Sequence, residues 1–378
     1  MKRAAAIVDL AAIRANLRRV QELAGNAEIM AVVKADAYGH GMAAVSRTLR
    51  RSGVRWLGVA LPSEALALRA QGDEGRVLAW LWAPGDPDIA ACLRSDVDLS
   101  VSSAWAVTEV AEAARRVGRI ARVHVKVDTG LSRNGATPDQ LPAVIDALLE
   151  SMAENLLEVE GVWSHLAEGE VAGAPSVSDQ LAVFRGALEA VEAAGIRPRL
   201  RHLGNSGSLW AHPECAFDMV RSGIALYGLT PGSELGTAAD LGLTPAMTLA
   251  ARLAHVKGIS AGTRVSYGGN WTASADTAVG LVPVGYADGI PRTAGDVAQV
   301  AIDGTLHPVI GRIAMDQFVV DLGVDHLPHV GDDVIVFGPG SRGEWTADKW
   351  GEAIGTIGYE IVTRVGTRIP REYVGAIT

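Results

Sequence analysis

The stretch Met30-Ala31-Val32-Val33-Lys34-Ala35-Asp36-Ala37-Tyr38-Gly39-His40-Gly41 is the best place to begin reading this chain. Ile29 to Val33 is a short apolar, partly β-branched run, the pattern of a strand buried on both faces, and it delivers a lysine at its end. The chain then turns at Gly39 and Gly41 and restarts with helical spacing, Met42, Val45 and Leu49 falling on one face. A lysine where a buried strand stops, with a tyrosine one turn on, has the context of an active-site lysine. The alternative is a lysine whose stem lies on the rim of a barrel while its head reaches water.

Working outward from there, strand-like and helix-like segments alternate. After a strand at Ala4 to Leu10 and a helix capped by Asp9, the candidate strands are Ile29 to Lys34, Trp56 to Ala60, Val77 to Leu81, Val97 to Val101, Val123 to Val127, Val159 to Ser164, Leu200 to Leu203 and Met219 to Tyr227. Helical patterns lie between them, among them Glu64 to Ala70, Trp105 to Val117, Leu141 to Met152 and Ser178 to Ala194. This alternation predicts an α/β chain with a parallel (β/α)8 barrel of the TIM type, whose chemistry gathers at the carboxyl ends of the strands. An open doubly wound sheet is the competitor, but no G-x-G-x-x-G follows an early strand.

The period changes after Tyr227. Residues 228–244 are rich in Gly, Pro, Thr and Ser and read as a linker. Short strands follow at Thr248 to Val256, Ala278 to Val284, Val297 to Ile302, His307 to Ile310, Gln317 to Leu322, Val334 to Phe337 and Ile361 to Val365, with a helix at Ala347 to Ala353 capped by Thr346. The expected division is a barrel over residues 1–238 and a mostly β domain over 239–378.

A length of 378 residues, 48% hydrophobic and 20% charged, is that of an ordinary soluble protein. Its net charge of −9 leaves no basic surface for nucleic acid or an anionic membrane. The basic start Met1-Lys2-Arg3 is not followed by a signal-peptide core, and the chain has no uninterrupted apolar run of membrane-spanning length. Cys92 and Cys215 have no metal-ligand spacing, and no metal is expected. Two cysteines make no disulfide framework, so the expected compartment is the reducing cytoplasm.

The predicted strand ends carry Lys34 and Tyr38, Ser63 and Glu64, Trp80 and Trp82, Ser100 and Ser102, Lys126, Asp128 and Arg133, Ser164 and His165, His202, Asn205 and Ser206, then Arg221 and Tyr227. Such a rim suits one cofactor-sized site. Leu203 to Ser208 and Ser222-Gly223-Ile224 offer amides and small hydroxyls, which bind phosphate without a lysine. Together with the lysine they suggest a phosphorylated aldehyde held as a Schiff base.

With these residues in view, the chain resembles the bacterial alanine racemase family, pyridoxal-phosphate enzymes with a barrel and a β domain. The resemblance rests on Ala31 to Gly41, His124-Val125-Lys126-Val127-Asp128-Thr129-Gly130-Leu131-Ser132-Arg133-Asn134-Gly135, and Arg221-Ser222-Gly223-Ile224-Ala225-Leu226-Tyr227-Gly228. Val265-Ser266-Tyr267-Gly268, Val284-Gly285-Tyr286-Ala287-Asp288-Gly289 and Gly311-Arg312-Ile313-Ala314-Met315-Asp316-Gln317 extend it, so that it runs from Ile7 to near Arg371.

The resemblance implies a two-base racemisation of alanine. Lys34 would bind pyridoxal 5′-phosphate and act as one base, and Tyr267 would reach the opposite face of the substrate from the partner subunit of a homodimer. It assigns the phosphate to Tyr38, Ser206, Gly223, Ile224 and Tyr359, the pyridine nitrogen to Arg221, and the surroundings of the ring to His165, Trp80 and Asn205. Arg133 would stand near the phenolic oxygen, oriented by a carbamylated Lys126, while partner Met315 and Asp316 approach the substrate carboxylate and Tyr286 the entrance. An arginine keeps its proton, so a ring nitrogen facing Arg221 stays unprotonated and withdraws electrons weakly, which disfavours transamination. Arg221 has a blander reading too, as an ion pair with Asp218 or Asp128. Both bases are expected to titrate away from their ordinary values.

The chain departs from the commoner family pattern at Ala314, where cysteine is frequent, at Trp163 to Ala167, at Leu203-Gly204, and at Ser222, where proline is common. These departures keep two alternatives open: a racemase for serine or a larger amino acid, and a pyridoxal-phosphate decarboxylase or lyase. A non-catalytic carrier of the cofactor is the third, although it has no use for Tyr267.

Overall fold

The computed structural model describes residues 3–325 and 327–376, so the basic start Met1-Lys2 lies outside the described residues. The first strand, Ala4–Asp9 (β1), leads into the helix Leu10–Ala24, whose first amides are held by Asp9: its Oδ1 accepts from Ala11 N at 2.7 Å and Ala12 N at 3.3 Å. Eight parallel strands follow: Glu28–Val32 (β2), Trp56–Val59 (β3), Arg76–Ala79 (β4), Asp98–Val101 (β5), Ala121–Lys126 (β6), Leu157–Trp163 (β7), Leu200–His202 (β8) and Met219–Ser222 (β9). They run in the order β8-β7-β6-β5-β4-β3-β2-β9. The ring closes where Arg221 N donates to Gly204 O at 3.1 Å and Asn205 bridges Arg221. Helices such as Met42–Arg51, Ala104–Val117 and Pro175–Ala193 turn apolar faces toward the strands.

The barrel interior is identified by contacts between strands that are not neighbours. Trp56 on β3 meets His124 on β6 edge-on at 5.4 Å, and Trp163 Nε1 on β7 donates to Ser100 Oγ on β5 at 2.9 Å. Such pairs meet only across the inside of the ring. Met30, Trp56, Leu78, Leu200 and Met219 form an apolar cluster there, while polar groups occupy the rest.

The β domain adds Met247–Arg252 (β10), His255–Ile259 (β11), Arg264–Val265 (β12), Trp271–Thr272 (β13), Thr277–Val282 (β14), Gln299–Ile302 (β15), Thr305–Ile310 (β16), Phe318–Gly323 (β17), Asp333–Phe337 (β18) and Arg371–Val374 (β19). Nine strands make one sheet in the order β11-β14-β17-β16-β15-β18-β10-β1-β19, and β12 pairs with β13 alone. The first strand of the chain therefore belongs to this sheet, antiparallel to β10 and parallel to β19.

Several elements differ from the sequence reading. Ile361 to Val365, expected as a strand, lies largely in the helix Gly358–Thr363: Ile361, Val362 and Val365 are buried at helical spacing, and a short apolar run fits either period. The strand expected over Met219 to Tyr227 stops at Ser222, because the chain breaks at Gly223 and continues as a 3-10 turn, Ile224–Tyr227. Thr248 to Val256 is two strands rather than one, parted at Leu253 and Ala254. Strand β19 was not expected, since its residues are largely exposed and show no burial alternation. Thr346 does cap Ala347–Ala353, accepting from Lys349 N at 3.2 Å.

Both β19 and the helix Gly358–Thr363 brace the turn after Lys34. Arg371 Nε donates to Gly39 O at 2.9 Å, and a Cβ placed on Gly39 would lie 2.4 Å from Val362 O. Gly39 has φ +78°, so Gly39→Ala meets both backbone strain and a collision, and is expected to cost more than about 2 kcal/mol in urea unfolding. Gly72→Ala, at φ +85° with open space around it, should cost only the strain. Equal losses would show that the turn does not depend on the β domain.

Candidate active site

Strand β2 ends at Val32, two residues before the lysine the sequence reading placed on it. Val33 then leaves the strand, and Ala35, Asp36, Ala37 and Tyr38 all take positive φ, between +52° and +55°. Four consecutive L residues in the left-handed region cost roughly 1–2 kcal/mol each, so the turn persists only under outside restraint. Glu64 supplies part of it: Oε1 accepts from Ala35 N at 2.6 Å, while Oε2 accepts from Ala60 N at 2.9 Å and Leu61 N at 3.0 Å. Asp36 Oδ1 accepts from Met42 N at 2.7 Å, and the Tyr38 ring packs on Tyr227 at 4.8 Å. Tyr227, read as a rim residue, is fully buried and donates to Val32 O.

Lys34 opens into a cavity of about 520 Å³ lined also by Tyr38, Trp80, Lys126, Arg133, His165, Asn205, Ser206, Arg221, Gly223, Ile224 and Tyr359. The fold thus collects in one place the residues that the sequence reading assigns to the cofactor. Met315, Asp316, Tyr286 and Tyr267 are not in that lining. Tyr267 is 69% exposed, Met315 52% and Tyr286 44%. Their three loops are laced into one patch: Ser266 Oγ donates to Arg312 O at 2.5 Å, and Tyr286 N donates to Ala314 O at 3.1 Å. Ala287 N donates to Met315 O at 2.9 Å, and Arg368 holds Asp316 at 2.7 Å.

Arg221 is 5% exposed and, among the described residues, is bound to no carboxylate. Nη1 donates to His202 O at 2.7 Å and Nη2 to Ser164 O at 2.6 Å and Leu203 O at 3.0 Å. His165 Nδ1 lies 3.3 Å from Nη2. Asp218 is taken by Arg201, and Asp128 accepts from the amides of Gly130 and Ser132, shaping the loop that carries Arg133. The ion-pair reading of Arg221 is therefore wrong. Burial pushes its guanidinium down to about 9, which still leaves it charged at neutral pH.

The rest of the site titrates around that charge. Burial first, then the charge of Arg133, lowers the Lys34 amine, and Glu64 acts in the opposite sense. Burial followed by Arg221 and Arg133 brings Lys126 down to about 8, its Nζ lying 4.6 Å from the Trp163 ring. His165 is held well below its ordinary value by burial and the same cations, so its ring is neutral.

Among the residues that the sequence reading assigns to phosphate, Ser206 Oγ accepts from Gly223 N at 2.9 Å, and a Cβ at Gly223 would lie 2.3 Å from Tyr38 Oη. Only glycine lets the backbone approach that phenol. Tyr359 Oη donates to Pro231 O at 3.3 Å, and burial raises the phenols of both Tyr38 and Tyr359. Asn205 folds its loop by accepting from Ser208 N at 3.0 Å.

The sequence reading placed Glu64 and His202 on the rim without a role, and it did not single out Glu170, which lines the cavity, or Arg371. Glu64 and Arg371 work by hydrogen bonding to main chain distant in sequence, and His202 by bonding to the side chains of His124 and Arg221, which no local pattern announces.

Two outcomes test this geometry. Glu64→Gln removes a charge that raises Lys34, so the pH at which an amine-reactive label modifies Lys34 in cofactor-free protein should move down; an upward move contradicts the arrangement. Ala35 is exposed, so Ala35→Gly relieves roughly 1–2 kcal/mol of strain against about 0.5–1 kcal/mol of glycine entropy. Urea unfolding should show unchanged or slightly increased stability.

Comparison with known proteins agrees with this arrangement. Residues 8–231 match the family model "Alanine racemase, N-terminal domain" and residues 246–373 match "Alanine racemase, C-terminal domain". The alanine racemase of Frankia casuarinae is 50% identical over 372 residues, covering 98% of this chain and 96% of that protein. That of Streptomyces coelicolor is 51% identical over 377 residues, with coverage of 98% and 96%. Among solved structures, alanine racemase from D-cycloserine-producing Streptomyces lavendulae superposes with a TM-score of 0.98 at 48% identity, covering 100% of this chain and 98% of that one. The Bacillus anthracis enzyme with bound L-Ala-P gives 0.90 at 30%, covering 100% and 96%. The chain belongs to the alanine racemase family.

Proposed function

We propose that this protein interconverts L- and D-alanine as a homodimer, using pyridoxal 5′-phosphate bound at Lys34. The observation that carries the reading is one cavity in which a lysine of lowered pKa, a buried arginine without a carboxylate partner and a glycine backed onto a phenol come together.

These residues fit the cofactor. Lys34 Nζ would meet the aldehyde, and Arg221, which offers only donors, would hold a ring nitrogen without protonating it. Ser206, Tyr38, Tyr359 and the backbone of Gly223 and Ile224 would hold the phosphate, and Trp80, His165 and Asn205 would flank the ring. When bound, the group supplies an electrophilic carbon for an amine and a conjugated ring that accepts charge from the substrate α-carbon.

Inversion needs a proton to leave one face of that carbon and another to arrive on the opposite face. The neutral Lys34 amine exchanges it on one side, favoured by burial and then by the charge of Arg133, which disfavours a second cation nearby. The other base is Tyr267 of the partner subunit, and residues 239–378 deliver it across a two-fold interface with Tyr286, Met315 and Asp316. Their exposure on one patch, away from the cavity of their own chain, supports this. Arg133 orients the substrate side, and carbamylation of Lys126 would give it an anionic neighbour. The proposed compartment is the cytoplasm, where Cys92 and Cys215, both buried and unpaired, stay reduced.

Borohydride reduction of the purified protein should abolish absorbance near ~420 nm, a region where conjugated cofactors absorb, and leave a phosphopyridoxyl group on the Lys34 peptide. Chiral analysis should show D-alanine formed from L-alanine, faster than inversion of serine, lysine or arginine; loss of carbon dioxide instead would make the protein a decarboxylase. Lys34→Ala and Tyr267→Ala should each be inactive, yet unfolded and refolded together they should recover roughly a quarter of wild-type turnover, since half the dimers are mixed and each has one complete site. No recovery contradicts a shared site. Carbamate on Lys126, read by carbon-13 NMR under labelled carbon dioxide, should increase as pH rises through about 8, because only the neutral amine reacts.

A further inference from the structure

Behind Arg221 a chain of buried polar groups crosses the barrel interior to its opposite end. Arg221 Nη1 lies 3.2 Å from His202 Nδ1, His202 Nε2 lies 2.9 Å from His124 Nδ1, and His124 Nε2 lies 3.3 Å from Asp98 Oδ2. Asp98 is the first residue of β5, and it, His124 and His202 are each 0% exposed. Its carboxylate is gripped by Arg76 at 2.5 Å and Arg122 at 2.8 Å. Burial alone would raise Asp98, but His124, through its hydrogen bond and its electrostatic attraction, and then the two arginines outweigh it, and the carboxyl stays below the ordinary range.

The two ends fix everything between them. Arg221 has donors only, and an ionised carboxylate accepts only. With one proton on each imidazole, three hydrogen bonds form in a single arrangement: Arg221 donates to His202 Nδ1, His202 Nε2–H to His124 Nδ1, and His124 Nε2–H to Asp98. The reverse direction sets an N–H of His202 against an N–H of Arg221. Adding a proton to His124 produces the same collision, because His202 must then carry its own proton on Nδ1. Packing keeps the rings in place: Trp163 lies parallel to His202 at 5.7 Å, and a Cβ at Gly161 would sit 2.5 Å from His124 Nδ1.

We propose that Asp98 is a positioning residue for the proposed reaction: acting through His124 and His202, it presents an unprotonated nitrogen to Arg221 and so holds the guanidinium in the place where it would meet the ring nitrogen of the cofactor. The reading of Arg221 as the partner of a ring nitrogen underlies the catalytic half of this inference; the direction of the chain does not depend on it. An imidazole accepts a hydrogen bond from Arg221 without adding a formal negative charge beside it. The carboxylate that polarises the chain stands two imidazoles away, so the arginine's charge remains available to the cavity.

A bland role for Asp98, neutralising Arg76 and Arg122, predicts something different when it becomes an amide. In Asp98→Asn the amide oxygen stays with Arg122 in the place of Oδ1, and the NH2, in the place of Oδ2, gives up the Arg76 contact and turns to His124 Nε2. His124 and then His202 must carry their protons on Nδ1, which confronts Arg221 with a donor. Nitrogen-15 spectra of histidine-labelled protein, taken as purified and after removal of the cofactor, should show His124 and His202 protonated on Nε2 alone in the wild type. In Asp98→Asn both protons should move to Nδ1, the absorbance of the bound cofactor should shift, and kcat should fall more than KM for alanine changes. Arg122→Gln should keep the wild-type tautomers and spectrum. A wild-type His202 protonated on Nδ1, or on both nitrogens, overturns the proposal, and this measurement decides the matter even if Asp98→Asn fails to fold. Asp98→Asn with wild-type tautomers and wild-type kcat also overturns it. Correct tautomers in a protein that does not racemise alanine would refute the proposed function and leave the chain's direction standing.

Discussion

A lysine amine is useful to an enzyme only where its proton is loosely held and its position is firm, and the turn from Lys34 to Tyr38 meets both demands against its own conformational preference. Four residues in the left-handed region are restrained from outside by Glu64, by Val362 across Gly39 and by Arg371. Two of those restraints come from the far end of the chain. The β domain therefore has a structural part in the barrel's site quite apart from the residues it is proposed to offer to a partner subunit.

The same economy governs charge. Arg221, Lys126, Arg133 and Lys34 crowd one rim, and Arg221 is answered by carbonyl oxygens and imidazole nitrogens rather than by a carboxylate. Such acceptors satisfy the guanidinium's donors while leaving its charge, which, after burial, helps hold Lys126 down and keep His165 neutral. A carboxylate at that place would raise Lys126 again. The nearest one in the hydrogen-bonded chain, Asp98, stands at the barrel floor with two arginines of its own.

Legibility in the sequence followed the range of the interactions involved. Strands β2 to β9 were readable because each is a short apolar run between turns, and Asp9 and Thr346 were readable as caps because capping is local. Ile361 to Val365 misled because its spacing satisfies a strand and a helical turn alike. Among the residues that line the cavity, Lys34, Lys126 and Arg221 were legible from motif and strand-end position together. Glu64 and Arg371 had no legible role, since each binds main chain that is near only after folding.

The amino-acid order by itself determined the succession of barrel and β domain, the lysine after the second strand and the kinds of group available to the site, because periodicity, turn chemistry and side-chain identity are properties of neighbours along the chain. Only the tertiary structure decided that the first strand joins the last sheet, that the turn after Lys34 is left-handed, and that Arg221 looks to His202 instead of Asp218. Those outcomes depend on which distant groups share a desolvated space, where an unmatched donor or charge is too costly to remain.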